Sequence, residues 1–525
     1  MTAESLAEAV VFAGAVLAAL GISMNAAVRR ELSENPRLGL VALATLLALA
    51  APVWLIVQDT TWRRALATIL LAVAAFAWYR ARPAFGARRG LPPGSLGLYA
   101  SLRAVADEGF YAEGFRRWGS VFKMSQLHRP VICIGDLGLA RDLLRHEGSG
   151  LGQVDWPFNR LLPGKYVEFM DGEQHARMRA LFEPGFGQGT LQSCLVDLRA
   201  SVRTAITAMR QPPGAAHDAT RGIAPLPICQ ELAYQALLRL LVGIDPDDPR
   251  VAGIPSRLAQ LDRDVHPWLP VSTASRRAFA ELSGILTNVG AAFVSPPGEV
   301  VPRSVLGDLV RRDRALLGDA LVIANLATLL QNGRVMLRML LAWLVKRAGD
   351  HPDSLAAIRV ALGDEPRAAA RAREFVLEVL RLDVGRYLYR EAMVDCRLGP
   401  YSVPAGWLVR VCLREAHRDA KYFDRPLEFD PGRFAEGRIG NNRFWPFGTA
   451  IHACFAERFV LAVAGQFLLG LAAHEVRVLT DGPQERVNRH WAFALPSHLL
   501  RVSLDDVAPA PAGLGPVRVV GSKHA

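Results

Sequence analysis

The segment most able to do chemistry is Phe444-Trp445-Pro446-Phe447-Gly448-Thr449-Ala450-Ile451-His452-Ala453-Cys454-Phe455-Ala456. It places a cysteine at the end of a loop and at the start of an apolar helix. Free backbone N–H groups and the helix dipole favour a thiolate there, which makes Cys454 a sound soft-metal ligand. Two further pairs have spacings that carry meaning. Glu378 and Arg381 stand at i, i+3, and His175 and Arg179 at i, i+4, so each pair shares one helical face. A helix that offers an imidazole and a guanidinium together can hold an anionic group, and arginine does so with a two-pronged fork. No phosphate loop of the G-x-x-x-x-G-K-[ST] type and no H-E-x-x-H occurs.

These side chains need elements to position them. Apolar residues recur at helical spacing over 171–182, 230–242, 320–348, 368–382 and 455–471, and short strands are expected at 121–124, 130–134 and 407–413. The expected fold class is mainly α with small β-sheets, preceded by N-terminal transmembrane helices. Three apolar runs, at 9–28, 38–57 and 65–79, supply those spans. The third is short and crosses a bilayer only if its flanking arginines snorkel. Arg29, Arg30, Arg37, Arg80, Arg82, Arg88 and Arg89 fall on one side of a three-span arrangement and Arg63 and Arg64 on the other, which places the long C-terminal part in the cytoplasm. The expected organisation is a membrane anchor over 1–82, a Pro/Gly hinge over 83–98, one catalytic domain over 99–505 and a flexible tail over 506–525.

Composition narrows the function classes. The chain has 525 residues, 51% of them hydrophobic, with a mean hydropathy of +0.17, which excludes disorder as its main state. Six cysteines without a C-x-x-C pair exclude a disulfide scaffold. The net charge of +11 comes from arginines that are scattered rather than gathered on one run, which argues against a nucleic-acid partner.

With these segments in view, the chain resembles the cytochrome P-450 family over about residues 91–505. The loop resembles the family's F-x-x-G-x-[RH]-x-C-x-[GA], with Phe447, His452, Cys454 and Ala456 in register and Ala450 where the family has Gly. Glu378-Val379-Leu380-Arg381 resembles its E-x-x-R, and Asp430-Pro431-Gly432-Arg433-Phe434 the segment whose arginine completes a Glu-Arg-Arg network. The resemblance implies heme b with an axial thiolate from Cys454 and cofactor contacts from His175, Arg179, Arg390, Phe447 and His452. It also implies a structural network of Glu378, Arg381 and Arg433. The partners it implies are a hydrophobic small molecule, the bilayer, and a separate ferredoxin or reductase.

One departure bears on the reaction. Where the family's central helix carries A-G-x-[DE]-T, this chain reads Asn332-Gly333-Arg334-Val335-Met336. Val335 and Met336 cannot donate or relay a proton. Isomerisation, dehydration, or peroxide- or substrate-assisted oxidation is therefore the expected chemistry, with Asn332, Gly333 and Met336 at the site. An ordinary dioxygen-dependent monooxygenase with protons from substrate or water is the alternative, and a non-catalytic heme-binding scaffold is the reading from another class. Arg334 and Arg338, at i, i+4, fit a solvated stripe.

Overall fold

The computed structural model describes residues 90–506 apart from internal stretches, the longest at 155–160, 211–221, 264–270, 294–300 and 488–493. The three N-terminal apolar runs lie outside the described residues, as does the tail expected over 506–525 except for Asp506, which ends a strand. The chain forms two compact units, Met1–Val154 with Tyr387–Glu415, and Asp155–Arg386 with Ala416–Ala525.

The first unit is built on a six-stranded sheet of order β1-β2-β3-β8-β5-β4. Its strands are β1 (Gly94–Ser95), β2 (Val121–Gln126), β3 (Arg129–Ile134), β4 (Leu151–Gly152), β5 (Leu388–Ala392) and β8 (Leu408–Val411), and β6 (Cys396–Leu398) pairs with β7 (Tyr401–Val403) in a separate ribbon. Val121, Phe122, Met124 and Val131 to Ile134 are almost wholly buried, as β-branched and aromatic residues on a covered sheet should be. Helices α1 (Phe110–Trp118) and α2 (Leu137–Leu144) belong to this unit, and Asp136 caps α2 by accepting from the Leu139 N–H at 2.9 Å. The Pro/Gly stretch enters the sheet directly. Gly94 and Ser95 run parallel to Lys123 and Met124, the Lys123 N–H donates to the Pro93 carbonyl at 2.7 Å, and its ammonium donates to the Pro92 carbonyl at 2.6 Å. Gly94 has φ +122, and a Cβ there would stand 2.1 Å from the Lys123 carbonyl oxygen, so no larger residue fits. Arg410 of β8 is buried among tyrosines, donating to the Tyr111 and Tyr389 hydroxyls at 2.8 and 3.0 Å.

The second unit is helical. Its helices are α3 (Gly172–Phe182), α4 (Gln188–Met209), α5 (Pro225–Leu241), α6 (Ile254–Arg263), α7 (Thr273–Ala292), α8 (Val305–Arg312), α9 (Ala320–Asp350), α10 (Pro352–Val360), α11 (Glu365–Val379) and α12 (Glu457–Ala472). Helix α9 is the axis of the core and packs on α5, α7 and α12. Asp319 starts it by accepting from the Leu321 and Val322 N–H groups at 2.9 and 3.3 Å. It stops at His351, because Pro352 cannot donate to the preceding turn. Among the described residues this is the one helix long and apolar enough to cross a bilayer, but 61% of its apolar window is buried inside the protein, so here it serves as a core helix. Short strands β9 (His474–Val478) with β12 (Val502–Asp506), and β10 (Glu485–Val487) with β11 (Ala494–Pro496), complete the unit.

The solvated stripe expected for Arg334 and Arg338 is not what the structure shows. Arg334 is 2% exposed and its Nη2 donates to both Asp262 carboxylate oxygens at 2.7 Å and to the Gln331 side-chain oxygen at 3.1 Å. Arg338 donates to the Gln230 side chain at 2.7 Å. Helices α5 and α6 cover this face, and a charge there is held by a partner from another element rather than by water.

Candidate active site

Cys454 is carried by a loop whose backbone is bent twice into the left-handed region, at Gly448 (φ +77) and Ala450 (φ +56). Glycine takes that conformation freely, whereas alanine does so at a steric cost. Ala450, which departs from the family pattern, is thus the residue that carries strain here. The Cys454 N–H donates to the Phe447 carbonyl at 2.9 Å and closes the loop. Helix α12 begins at Glu457 with Ala456 as its N-cap, so Cys454 stands two residues ahead of the cap and the helix starts slightly later than the sequence suggests.

The thiol is accessible, yet the protein around it pushes its pKa up to about 11. Accessibility combined with strong desolvation marks a recess rather than a convex surface. The Ala456 N–H donates to the sulfur and opposes that rise, Glu168 and Glu457 add to it, and Arg179 lowers it. A thiol held in this way becomes a thiolate when a cation lies against it.

Three of the predicted cofactor contacts converge beside it. The His175 and His452 rings lie with centroids 4.1 Å apart. Arg179 donates to the Ile451 and Ala453 carbonyls at 3.2 and 2.7 Å, pairs with Glu183 through two bonds of 3.1 Å, and covers the Phe455 ring at 5.5 Å. It therefore braces the loop directly. Phe447 is half-buried against the core. Arg390 lies on β5 of the first unit, 6% exposed, donating to the Tyr389 carbonyl at 2.7 Å. One thiol, two imidazoles and a guanidinium gathered at one loop fit a heme, whose iron takes the sulfur and whose carboxylates take cationic donors.

The structure brings Glu378, Arg381 and Arg433 together with several backbone carbonyls. Arg381 binds Glu378 through two bonds of 2.8 and 2.7 Å, both side chains fully buried, and Arg433 reaches the same carboxylate at 3.1 Å. Arg381 also donates to the His417 and Pro426 carbonyls at 2.7 Å and to the Glu428 carbonyl at 3.1 Å. Helix α11 ends in a π-turn, Leu380–Val384, which carries Arg381, and Asp383 on that turn pairs with Arg347 of α9 at 2.7 Å. His417 is a further member: fully buried, it accepts the Trp445 N–H at 3.2 Å and so fixes the start of the cysteine loop.

On α9, Asn332, Val335 and Met336 are half-buried where most of the helix is buried. Gly333 faces α5, and a Cβ there would meet Leu237 at 3.2 Å, so its role in this structure is close helix contact. Asn325 carries no mark in the sequence reading. Asn325 is fully buried, accepts the Val167 N–H at 2.7 Å and donates to the Lys165 carbonyl at 3.3 Å. The available signal was an asparagine inside an apolar helix, seven residues before Asn332.

The family description Cytochrome P450 matches residues 372–501. Abscisic acid 8'-hydroxylase 3 of Oryza sativa subsp. indica is 26% identical over 396 residues, covering 69% of this chain and 77% of the relative. Putative cytochrome P450 138 of Mycobacterium tuberculosis is 25% identical over 396 residues, covering 70% and 86%. Among solved structures, retinoic acid bound cyanobacterial CYP120A1 superimposes with a TM-score of 0.66 at 22% identity, covering 80% of this chain and all of that one, a likeness of fold.

Proposed function

We propose, from the premise that the chain belongs to the cytochrome P450 family, that it is a heme-thiolate enzyme for an apolar small molecule, with Cys454 as the axial ligand. Members of this family bind heme b through an axial cysteine thiolate. The observation that carries the reading is the accessible Cys454 thiol at the start of α12, with His175, His452 and Arg179 gathered at its loop.

When bound, the heme supplies the redox or Lewis-acid chemistry. The chain's residues do the rest. The Ala456 N–H and the start of α12 favour negative charge on the sulfur. Arg179 and the His175–His452 pair hold the loop and offer a cationic guanidinium and hydrogen-bonding imidazoles to carboxylates. Glu378, Arg381 and Arg433 set the segment that leads into the loop.

Val335 and Met336 offer no proton, which favours isomerisation, dehydration, or peroxide- or substrate-assisted oxidation over proton delivery from α9. The relatives named as abscisic acid hydroxylases, and the retinoic acid bound in the solved neighbour, support an apolar substrate with few polar groups. The spans at 9–28, 38–57 and 65–79 would hold residues 99–505 at the cytoplasmic face as one catalytic domain, within reach of a lipid-soluble substrate and a separate electron donor. The hinge over 83–98 and the tail over 506–525 complete that organisation. The test is an optical titration of holoprotein with carbon monoxide, dioxygen plus reductant, and peroxide. A thiolate-type ferrous–CO absorption is the expected result, and its absence overturns the assignment.

A further inference from the structure

Two guanidiniums stand four residues apart on one face of α9, and a single carboxylate answers them. Arg334 gives its Nη2 to both oxygens of Asp262 at 2.7 Å and to the Gln331 side-chain oxygen at 3.1 Å, and Gln331 in turn donates to Asp262 at 2.7 Å. Arg338 has an uncharged partner instead. Its Nη1 donates to the Gln230 side-chain oxygen at 2.7 Å, and among the described residues no carboxylate pairs with it. The Nε–H groups of both arginines are buried and reach no acceptor. Burial lowers the Arg338 pKa, with Asp262 opposing the fall and Arg334 adding to it. Cys229 of α5 supplies no negative charge, because burial raises its thiol pKa and keeps it neutral. Like charges at i, i+4 repel, and a buried cation is costly until it is paired. The junction of α5, α6 and α9 thus holds two positive charges against one negative.

This junction lies on a different face of α9 from the residues assigned to the substrate. At about 100° per residue, Arg334 is about 180° around the helix from Asn325, whereas Asn332 and Met336 are within about 20° of it. Asn325 fastens residues 165 and 167 to its own face. Solvent reaches the edge of the junction, since the Asp262 side chain is 28% exposed and Arg338 is only half-buried. The chemistry available there is specific. One edge of a guanidinium, Nε with Nη2, forms a fork that matches two oxygens of an oxyanion. Arg338 has that edge unused, because Gln230 takes Nη1.

We propose that Arg338, backed by Arg334, forms a binding site for one small oxyanion of the inorganic phosphate class, whose negative charge balances the second guanidinium where α5, α6 and α9 meet. The site stands apart from the heme-thiolate reading and does not depend on it.

Inorganic phosphate is the probe, titrated calorimetrically into the full-length protein in detergent micelles. Chloride is exchanged for phosphate at constant ionic strength, so that screening stays the same. The wild type is expected to take up one phosphate saturably, and its urea unfolding midpoint to rise along the same curve. Arg338→Gln is expected to weaken binding about tenfold or more and to flatten the rise in midpoint. Arg338→Lys, which keeps the charge without the fork, is expected to fall between the two. Equal phosphate affinity in the wild type and Arg338→Gln overturns the proposal, as does a wild-type midpoint that follows ionic strength alone. If Arg338→Gln does not fold, unchanged affinity in Arg338→Lys overturns it instead.

Discussion

The backbone N–H of Trp445 donates to Nε2 of His417 at 3.2 Å, so a buried imidazole from one segment holds the first turn of the cysteine loop. Burial, followed by the nearby Arg381 guanidinium, lowers the His417 pKa from 6.5 to about 3. Between those values the unfolded chain binds a proton that the folded chain refuses. The stabilisation is therefore complete above pH 6.5 and is lost as pH falls toward 3, at about 1.4 kcal/mol per pH unit. Proton uptake on unfolding at pH 5 is expected to be about one proton smaller in His417→Gln, which keeps an acceptor for Trp445. Equal uptake in the two proteins would show that His417 is not held neutral.

Arg381→Ala removes two bonds to Glu378 and three to backbone carbonyls in one step. The Glu378 carboxylate then keeps Arg433 and the Asp430 N–H as its remaining partners. Breaking a buried pair from one side costs about 3–5 kcal/mol. Little folded holoprotein is expected, measured as heme per chain and as the denaturant midpoint. Normal heme content would show that the network does not set the loop.

Ala450 holds φ +56 without the freedom of glycine. Ala450→Gly is expected to raise stability by about 1 kcal/mol while retaining heme binding. A lower unfolding midpoint in the variant would mean that the strain is absent or offset elsewhere.

Asp262→Leu leaves Arg334 buried with Gln331 as its uncharged neighbour and is expected to cost about 3 kcal/mol, the low end for a buried pair because the Asp262 side chain is 28% exposed. Arg334→Leu combined with Asp262→Leu is expected to recover part of that loss. Additive losses in a denaturant-based double-mutant cycle would show that the pair is not coupled.

What the sequence revealed depended on the distance between partners along the chain. Glu378, Arg381 and Cys454 lie in short segments that resemble the family's motifs, so a local pattern displayed them. The expected helices at 171–182, 320–348 and 368–382 recur with ends shifted by a few residues, the last closing in a π-turn that periodicity does not reveal. Helix α4 was not anticipated: its buried face includes Thr190 and Ser201, which break an apolar count. The Arg334–Asp262 pair joins residues 72 apart, and a basic i, i+4 row looks the same whether water or a second helix covers it. Asn325 ties residues 165 and 167 to α9 across about 160 residues, a relationship between elements that no local pattern contains.

The first strand also has a mechanical meaning. Gly94 and Ser95 run parallel to β2, and the Lys123 ammonium grips the Pro92 carbonyl just before them. Tension entering through residue 90 along that strand would strain these bonds side by side in shear, rather than opening them one at a time like a zipper. The sheet thus takes up a pull from the N-terminal side as a rivet does, before the force reaches the helices α1 and α2 that follow.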